Sequence, residues 1–176
     1  PFPIVYYQSL ANPCRKQWKA EGKDYAYPQI IDMAEKAIAA KRYAVINPDD
    51  TSLASPTRMV DAIAALAGRE MAADETMATI FMSLANRYAQ VFVRLKQLTG
   101  KTLKCLHVIG GGAQNELLNQ LTANAVGVPV IAGPTEATVI GNAMIQAQAM
   151  GVVKNLAEIR RIIRQSVELK TFNPQL

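Results

Sequence analysis

Residues 103–115 read LKCLHVIGGGAQN, and this stretch decides the fold. An apolar run that ends at Ile109 leads directly into three glycines, and an amphipathic pattern follows them. This order predicts a buried strand, a tight loop and a helix. Glycine has no side chain, so the backbone at 110–112 can turn sharply and a flat or phosphorylated ligand can lie against it. A helix-entry turn that binds nothing is the alternative interpretation.

Further elements are predicted on the carboxyl side of this loop. A helix over 115–126 stops at Gly127, and a strand over 128–131 and a turn at 133–134 follow it. The next helix is capped by Thr135 or Thr138 and runs to Met150. A last helix is capped by Asn155, with Glu158 in a capping box. Two apolar strands joined by a helix indicate a parallel sheet, and two such strands are too few for a stable one. We therefore expect the remaining strands to come from chain that precedes Pro1.

The amino-terminal part of the chain is predicted to be helical. Residues 1–27 predict an extended segment and then a short helix with Trp18 as a packing anchor. Three more helices are expected, one that opens at Pro28, one with Ser55 as cap and Pro56 as its first residue, and one over about 74–99. The longest helix carries apolar residues at steps of three and four, which predicts that it is the main packing element of the core. These residues are Met77, Ile80, Phe81, Leu84, Tyr88, Val91, Phe92, Leu95 and Leu98.

Bulk composition is typical of a globular protein. The 176 residues are 50% hydrophobic and 19% charged, and the length fits one domain or a piece of a larger one. The formal charge of +5 is spread along the chain, which does not favour nucleic-acid binding. No apolar run is long enough to span a membrane, and the two separated cysteines, Cys14 and Cys105, form no metal-binding motif. We expect a cytoplasmic protein with no membrane partner.

The glycine loop does not match the two most familiar nucleotide motifs. A dinucleotide fingerprint requires glycine at 110, 112 and 115, but residue 115 is Asn. That fingerprint also needs an acidic residue directly after the second strand, and the first one here is Glu136. A phosphate-binding P-loop ends in Gly-Lys-Ser/Thr, which this loop lacks.

Instead, residues 107–125, HVIGGGAQNELLNQLTANA, resemble the C-terminal domain of the FGGY carbohydrate kinases, most closely that of the rhamnulokinases. The resemblance continues through GVPV at 127–130, AGPTEAT at 132–138 and the Gly-Asn pair at 141–142. Four shorter segments upstream also fit, namely RKQW at 15–18, YP at 27–28, NPDD at 47–50 and SLA at 83–85. The triple glycine and the Gly-Pro-x-Glu-Ala segment are its most specific parts.

The resemblance implies an α/β fold, the actin-like ATPase (ribonuclease H-like) C-terminal domain, here helix-rich with few strands. Residues 1–176 would be part of the ATP-binding domain, without the N-terminal sugar-binding domain. Carried over by motif, Gly110, Gly111 and Gly112 would lie against the adenosine and Asn115 near the base. Glu136, Gly141 and Asn142 would support the same wall of the site.

In function, the resemblance implies an ATP- and Mg²⁺-dependent sugar kinase that phosphorylates a ketose, with L-rhamnulose at its 1-hydroxyl as the expected substrate. The family's catalytic Asp and phosphate loops are expected upstream of this stretch. The chain should therefore contain no catalytic residue and no metal ligand, and it should be inactive by itself.

Several polar residues also have simpler interpretations. In these interpretations, the negative charge of Glu136 stabilises the N-terminus of its helix and contacts no ligand. Gln114 and Asn119 are then solvated polar residues. The pair at 49–50 is interpreted as a solvated turn, and His107 as packed in its strand. Two other functions stay open at this stage. One is a helical interaction module that self-associates through unpaired strand edges, and the other is a Rossmann-type protein that binds a nicotinamide or a methyl donor.

Overall fold

A computed structural model describes the backbone of residues 7–175 and the side chains of residues 9–175. The chain divides into two compact units, Pro1–Gly100 and Lys101–Leu176. Within the described residues the first unit is helical, and the second combines a small sheet with helices. The extended segment predicted before the first helix lies outside the described residues.

Four α-helices build the first unit: α1 (Tyr7–Ala20), α2 (Tyr27–Ala39), α3 (Met59–Ala67) and α4 (Ala73–Thr99). Helix α2 packs along α4, and α1 contacts both α3 and α4. Trp18 is buried, as the sequence predicts, and its ring meets that of Tyr25 edge-on with centroids 5.6 Å apart. Cys14 is buried in the same helix, and burial raises the pKa of its thiol to about 12, so the thiol stays protonated and inert.

The longest helix, α4, has the predicted limits and ends where Gly100 adopts a left-handed conformation with φ of 62°. Met77, Phe81 and Phe92 of the predicted apolar stripe are buried. The carboxyl end of the stripe is not, because Leu95 is 45% and Leu98 70% exposed. The prediction of a continuous core stripe was therefore wrong for the last two turns, since periodicity marks an apolar face without showing what covers it.

Hydroxyl groups of α4 also bind a segment, residues 44–46, that forms neither helix nor strand. The amide of Ala44 donates to Thr79 Oγ1 at 3.0 Å, and that of Ile46 donates to Ser83 Oγ at 3.0 Å. Both hydroxyl side chains are buried. They satisfy backbone donors that would otherwise be costly to bury.

Helix α3 begins later than its sequence predicts. Ser55 and Pro56 were expected as its cap and first residue, but the helix begins at Met59 and Arg58 is the residue before it. Residues Thr51–Leu53 instead form a short 3₁₀ turn, capped by Asp50 through the amide of Ser52. The first turn of the helix is capped from α1 instead, because the amide of Val60 donates to Gln17 Oε1 at 3.0 Å. Gly68 ends the helix as predicted.

The second unit contains a three-stranded sheet in the order β1 (Leu106–Val108), β2 (Val130–Ala132), β3 (Lys170–Phe172). Strands β1 and β2 are parallel, with Leu106 opposite Val130, and β3 is antiparallel to β2. The sequence predicted only β1 and β2. The third strand is three residues long and has no long apolar run, so its pairing depends on contacts distant in sequence.

Helices α5 (Glu116–Val126), α6 (Ala137–Ala149) and α7 (Leu156–Ser166) complete this unit. The predicted cap at Asn155 is confirmed, since the amide of Glu158 donates to its Oδ1 at 3.0 Å. Asn115 caps α5 in the same way through the amide of Leu118, a role that was not predicted from the sequence. Neither Thr135 nor Thr138 caps α6, because Glu136 occupies that position and its side chain makes no capping bond. Helix α6 contains no buried residue, whereas α5 packs against β2 and β3.

Within residues 7–175, no helix combines the length and the apolar character needed to cross a membrane.

Candidate functional site

Two loops meet at the carboxyl ends of the parallel strands. The first, the glycine loop, is the 3₁₀ turn Gly110–Gln114 after β1, and the second, the proline loop, is residues 133–136 after β2. The amide of Gly133 donates to the carbonyl of Val108 at 2.8 Å, and that of Gly110 donates to the carbonyl of Pro134 at 3.0 Å. Parallel α/β sheets commonly bind ligands beyond the carboxyl ends of their strands, so this edge is the candidate site.

The three glycines of the loop differ in what the fold demands of them. Gly110 has φ of +74°, a conformation that strongly favours glycine. Gly112 has no such constraint, since a Cβ there would meet only Val108 Cγ1, at an ordinary contact distance of 3.5 Å. Gly111 and Gly112 are both exposed. The backbone conformation thus explains the glycine at 110. Neither conformation nor packing within the protein requires a glycine at 112, where the backbone is exposed.

Asn115 ends the glycine loop and caps α5. Its side chain is buried, and Oδ1 accepts a hydrogen bond from the amide of Leu118 at 3.0 Å. The Nδ2 group is buried and has no hydrogen-bond partner among the described residues. A buried donor without a partner costs free energy, so the cap at Oδ1 does not by itself account for this amide.

Asn119 was interpreted from the sequence as a solvated position, and that interpretation was wrong. Its side chain is 2% exposed, and Nδ2 donates to the carbonyl of Ala113 at 3.0 Å and to that of Gly112 at 3.4 Å. A sequence signal was available, because Asn119 follows Asn115 by four residues and so shares its face of α5. Gln114 is exposed, as the solvated interpretation expects.

The remaining predicted site residues follow the proline loop. Glu136 is exposed and directly precedes α6, while Gly141 and Asn142 lie on the second turn of that helix. The side chains of Glu136 and Asn142 make no hydrogen bond to other described residues. The structure therefore joins the glycine loop to residues 133–135 by hydrogen bonds, and within the described part of the chain it shows no such bond between that loop and the three α6-side residues.

His107 and Cys105 lie on the uncovered face of β1. Leu106 and Val108 alternate onto the other face and pack against the core cluster that contains Val130. His107 is exposed, so the expectation of a packed histidine was wrong. Cys105 precedes the strand and is half-buried, with Sγ 3.7 Å from His107 Nε2.

The acidic turn at 49–50 is structural. Asp49 was expected to be solvated, but its carboxylate pairs with Arg87 at 2.5 Å and its side chain is only 13% exposed. Asp50 caps the following turn, and its hydrogen bonds from the Ser52 side chain and backbone lower the pKa of its carboxyl group. No group of three His, Cys, Asp or Glu side chains in the described part of the chain could hold a metal ion.

Comparison with known proteins identifies the family to which the chain belongs. Residues 5–150 match the family described as "FGGY family of carbohydrate kinases, C-terminal domain". A curated rhamnulokinase from Bacteroides thetaiotaomicron is 43% identical over 171 residues, which cover 94% of this chain and 34% of that protein. The chain therefore spans about a third of the length of this relative.

Two solved structures share the fold at 18% identity. A ligand-bound xylulose kinase from Lactobacillus acidophilus aligns with a TM-score of 0.62 over 94% of this chain and 33% of its own. A gluconate kinase from the same species aligns with a TM-score of 0.57 over 86% of this chain and 31% of its own.

Proposed function

We propose, from the premise that this chain belongs to the FGGY family of carbohydrate kinases as their C-terminal domain, that it supplies the adenosine-binding wall of an ATP-dependent sugar kinase. The predicted fold class, an α/β actin-like domain rich in helices and poor in strands, is confirmed by the shared fold of the two sugar kinases. The complete activity is a proposal because the chain spans about a third of its curated relative.

The observation that carries the proposal is the exposed backbone at Gly111 and Gly112. Packing within the protein leaves room for a side chain at 112. We therefore infer that glycine is present there because a flat ligand approaches the backbone closely. Asn115 lies directly after this backbone and is proposed to stay near the base. Glu136, Gly141 and Asn142 are proposed as further support for the same wall.

For the reaction, we propose transfer of the γ-phosphoryl group of ATP to the 1-hydroxyl of L-rhamnulose. The hydroxyl oxygen bonds to the γ-phosphorus, the bond from that phosphorus to the bridging oxygen of ADP breaks, and the hydroxyl proton passes to a base. The substrate rests on the 43% identity to a rhamnulokinase. Neither the base nor a Mg²⁺ ligand is assigned to this chain, which is proposed to be inactive alone. Mg²⁺ would be held through the phosphates and by residues elsewhere.

Two further expectations remain proposals. We place the protein in the cytoplasm, where ATP is supplied. Self-association through the outer edge of β1, which pairs with no other strand of residues 7–175, stays a prediction. The interaction-module alternative is not favoured, since the chain matches a kinase family over most of its length.

Gly112→Val tests the nucleotide wall. We expect the variant to bind a non-hydrolysable ATP analogue at least about tenfold more weakly than the parent protein, because a branched side chain would occupy the space of the base. Calorimetric titration of the full-length protein measures the affinity. Ala125→Leu adds bulk at an exposed position of α5, outside the site, and should leave affinity unchanged. Equal affinity in Gly112→Val and parent would overturn the assignment of the loop.

The sugar is tested separately on the full-length protein. Coupled measurement of ADP release should show kcat/KM for L-rhamnulose exceeding that for D-xylulose by at least about tenfold, a difference that one lost substrate hydrogen bond can produce. Phosphorus NMR of the product should show a phosphate ester on the 1-carbon. A preference for another ketose would refute the substrate and leave the kinase proposal intact.

A further inference from the structure

We propose that Asn119 is a positioning residue that holds the glycine loop in its nucleotide-binding shape. The inference rests on the proposed function, because it concerns the same loop. Asn119 Nδ2 lies 3.0 Å from the carbonyl oxygen of Ala113 and 3.4 Å from that of Gly112. The side chain touches the loop from the helix side, and it is 2% exposed, so it acts through the loop rather than on the ligand.

The amide side chain is not needed by helix α5 itself. The backbone amide of Asn119 already donates to the carbonyl of Asn115 at 3.0 Å. Asparagine is a weak helix former, and a buried amide is unfavourable unless it is hydrogen-bonded. A leucine, like the neighbouring Leu118, would suit a buried helical position better. The amide donates hydrogen bonds to the two loop carbonyls, which an apolar side chain could not do.

The glycine loop benefits from such an anchor because its three glycines provide no side-chain contacts. Residues 110–112 have no side chains, and an unrestrained glycine backbone loses more conformational freedom on ordering than any other. The amide of Gly110 is held by the carbonyl of Pro134 at one end, and Asn119 holds the Gly112 and Ala113 carbonyls at the other. The exposed backbone between the two anchors is thereby ordered before a ligand arrives, which lowers the entropic cost of binding.

Thr122 shows that a buried polar side chain on the same helix need not reach the loop. Its hydroxyl donates to the carbonyl of Leu118 at 2.6 Å, inside the helix, and the residue is 1% exposed. Thr122→Val therefore removes a buried hydrogen bond of α5 without touching the loop. It is the matched control for a purely structural contribution.

The test is a comparison of Asn119→Leu and Thr122→Val in the full-length protein. We expect Asn119→Leu to raise KM for ATP and the dissociation constant of an ATP analogue about tenfold, as the loss of two hydrogen bonds predicts, with kcat and the sugar KM changed less than about twofold. Thr122→Val should leave all four constants within about twofold. An unchanged ATP affinity in Asn119→Leu, or equal effects of the two variants, would overturn the proposal.

A second measurement does not depend on a variant that folds. Hydrogen exchange of the parent protein without nucleotide should show the amide of Asn115 protected, because it donates at 3.2 Å to the Gly112 carbonyl in a loop that is already held. Exchange there at the rate of an unstructured chain would contradict the proposal. If the parent binds ATP and Asn119→Leu binds it equally well, the positioning role fails and the proposed function stands. If the parent binds no ATP, the proposed function fails, and the anchor is then tested by whether the Asn115 amide exchanges faster in Asn119→Leu than in Thr122→Val.

Discussion

Phe81→Ala is expected to lower the free energy of unfolding of the helical unit by about 3–5 kcal/mol, the cost of deleting a fully buried aromatic ring. Phe81 is 0% exposed and lies in the buried half of α4, the helix along which α2 packs. Its loss removes apolar contacts and leaves a cavity that rigid helices cannot close. Urea unfolding followed by the fluorescence of Trp18, the single tryptophan and buried in the same unit, measures the change.

Leu98→Ala is the matched control for that experiment. Leu98 lies on the same helix and is also a large apolar side chain, but it is 70% exposed. Its truncation should change the free energy of unfolding by no more than about 0.5 kcal/mol. A similar loss in both variants would contradict the burial pattern of α4.

Gly133→Ala is expected to destabilise the sheet unit by about 1–3 kcal/mol from backbone strain alone, with crowding adding to that loss. Gly133 has φ of +115°, and a Cβ there would lie 3.1 Å from both Glu168 O and Leu169 Cδ2. Its amide bonds to Val108, so the variant should also disturb the junction between the glycine and proline loops. Hydrogen exchange of the β1 and β2 amides reports the local loss of stability.

Gly127→Ala separates strain from crowding. Gly127 also has a positive φ, +71°, but nothing lies within 4 Å of a Cβ at that position. It should show only the cost of the left-handed backbone, about 1–2 kcal/mol. If the two variants accelerate exchange equally, the close approach of residues 168–169 to Gly133 is not significant for stability.

Elements defined by neighbouring residues were predictable from the sequence. The limits of α4, the glycine ends of α3, α4 and α5, and the cap at Asn155 all follow from signals within one helical turn. The predicted start of α3 was wrong although its signal was equally local. There the amide of Val60 in the first turn donates to Gln17 Oε1 of α1, a partner that is distant in sequence, so the Ser-Pro pair gave the wrong boundary.

The candidate site was partly predictable in the same way. The glycine loop and Asn115 are contiguous, so the sequence alone located them. Asn119 follows Asn115 by four residues and shares its face of α5, but the burial of that face depends on the fold, so its importance was missed. The pairing of the glycine loop with residues 133–135 also required the parallel register of β1 and β2.

By itself, then, the sequence determined where the glycine-terminated helices end, where the backbone is free of side chains, and which family the chain resembles, since each depends on contiguous residues. Tertiary structure decided which apolar faces are covered, that β3 joins the sheet, and that the Asn119 amide turns toward the loop. The physical reason is that burial and hydrogen bonding depend on neighbours brought together by folding. Leu98 and His107, an apolar side chain and a strand histidine that both remain exposed, illustrate that dependence.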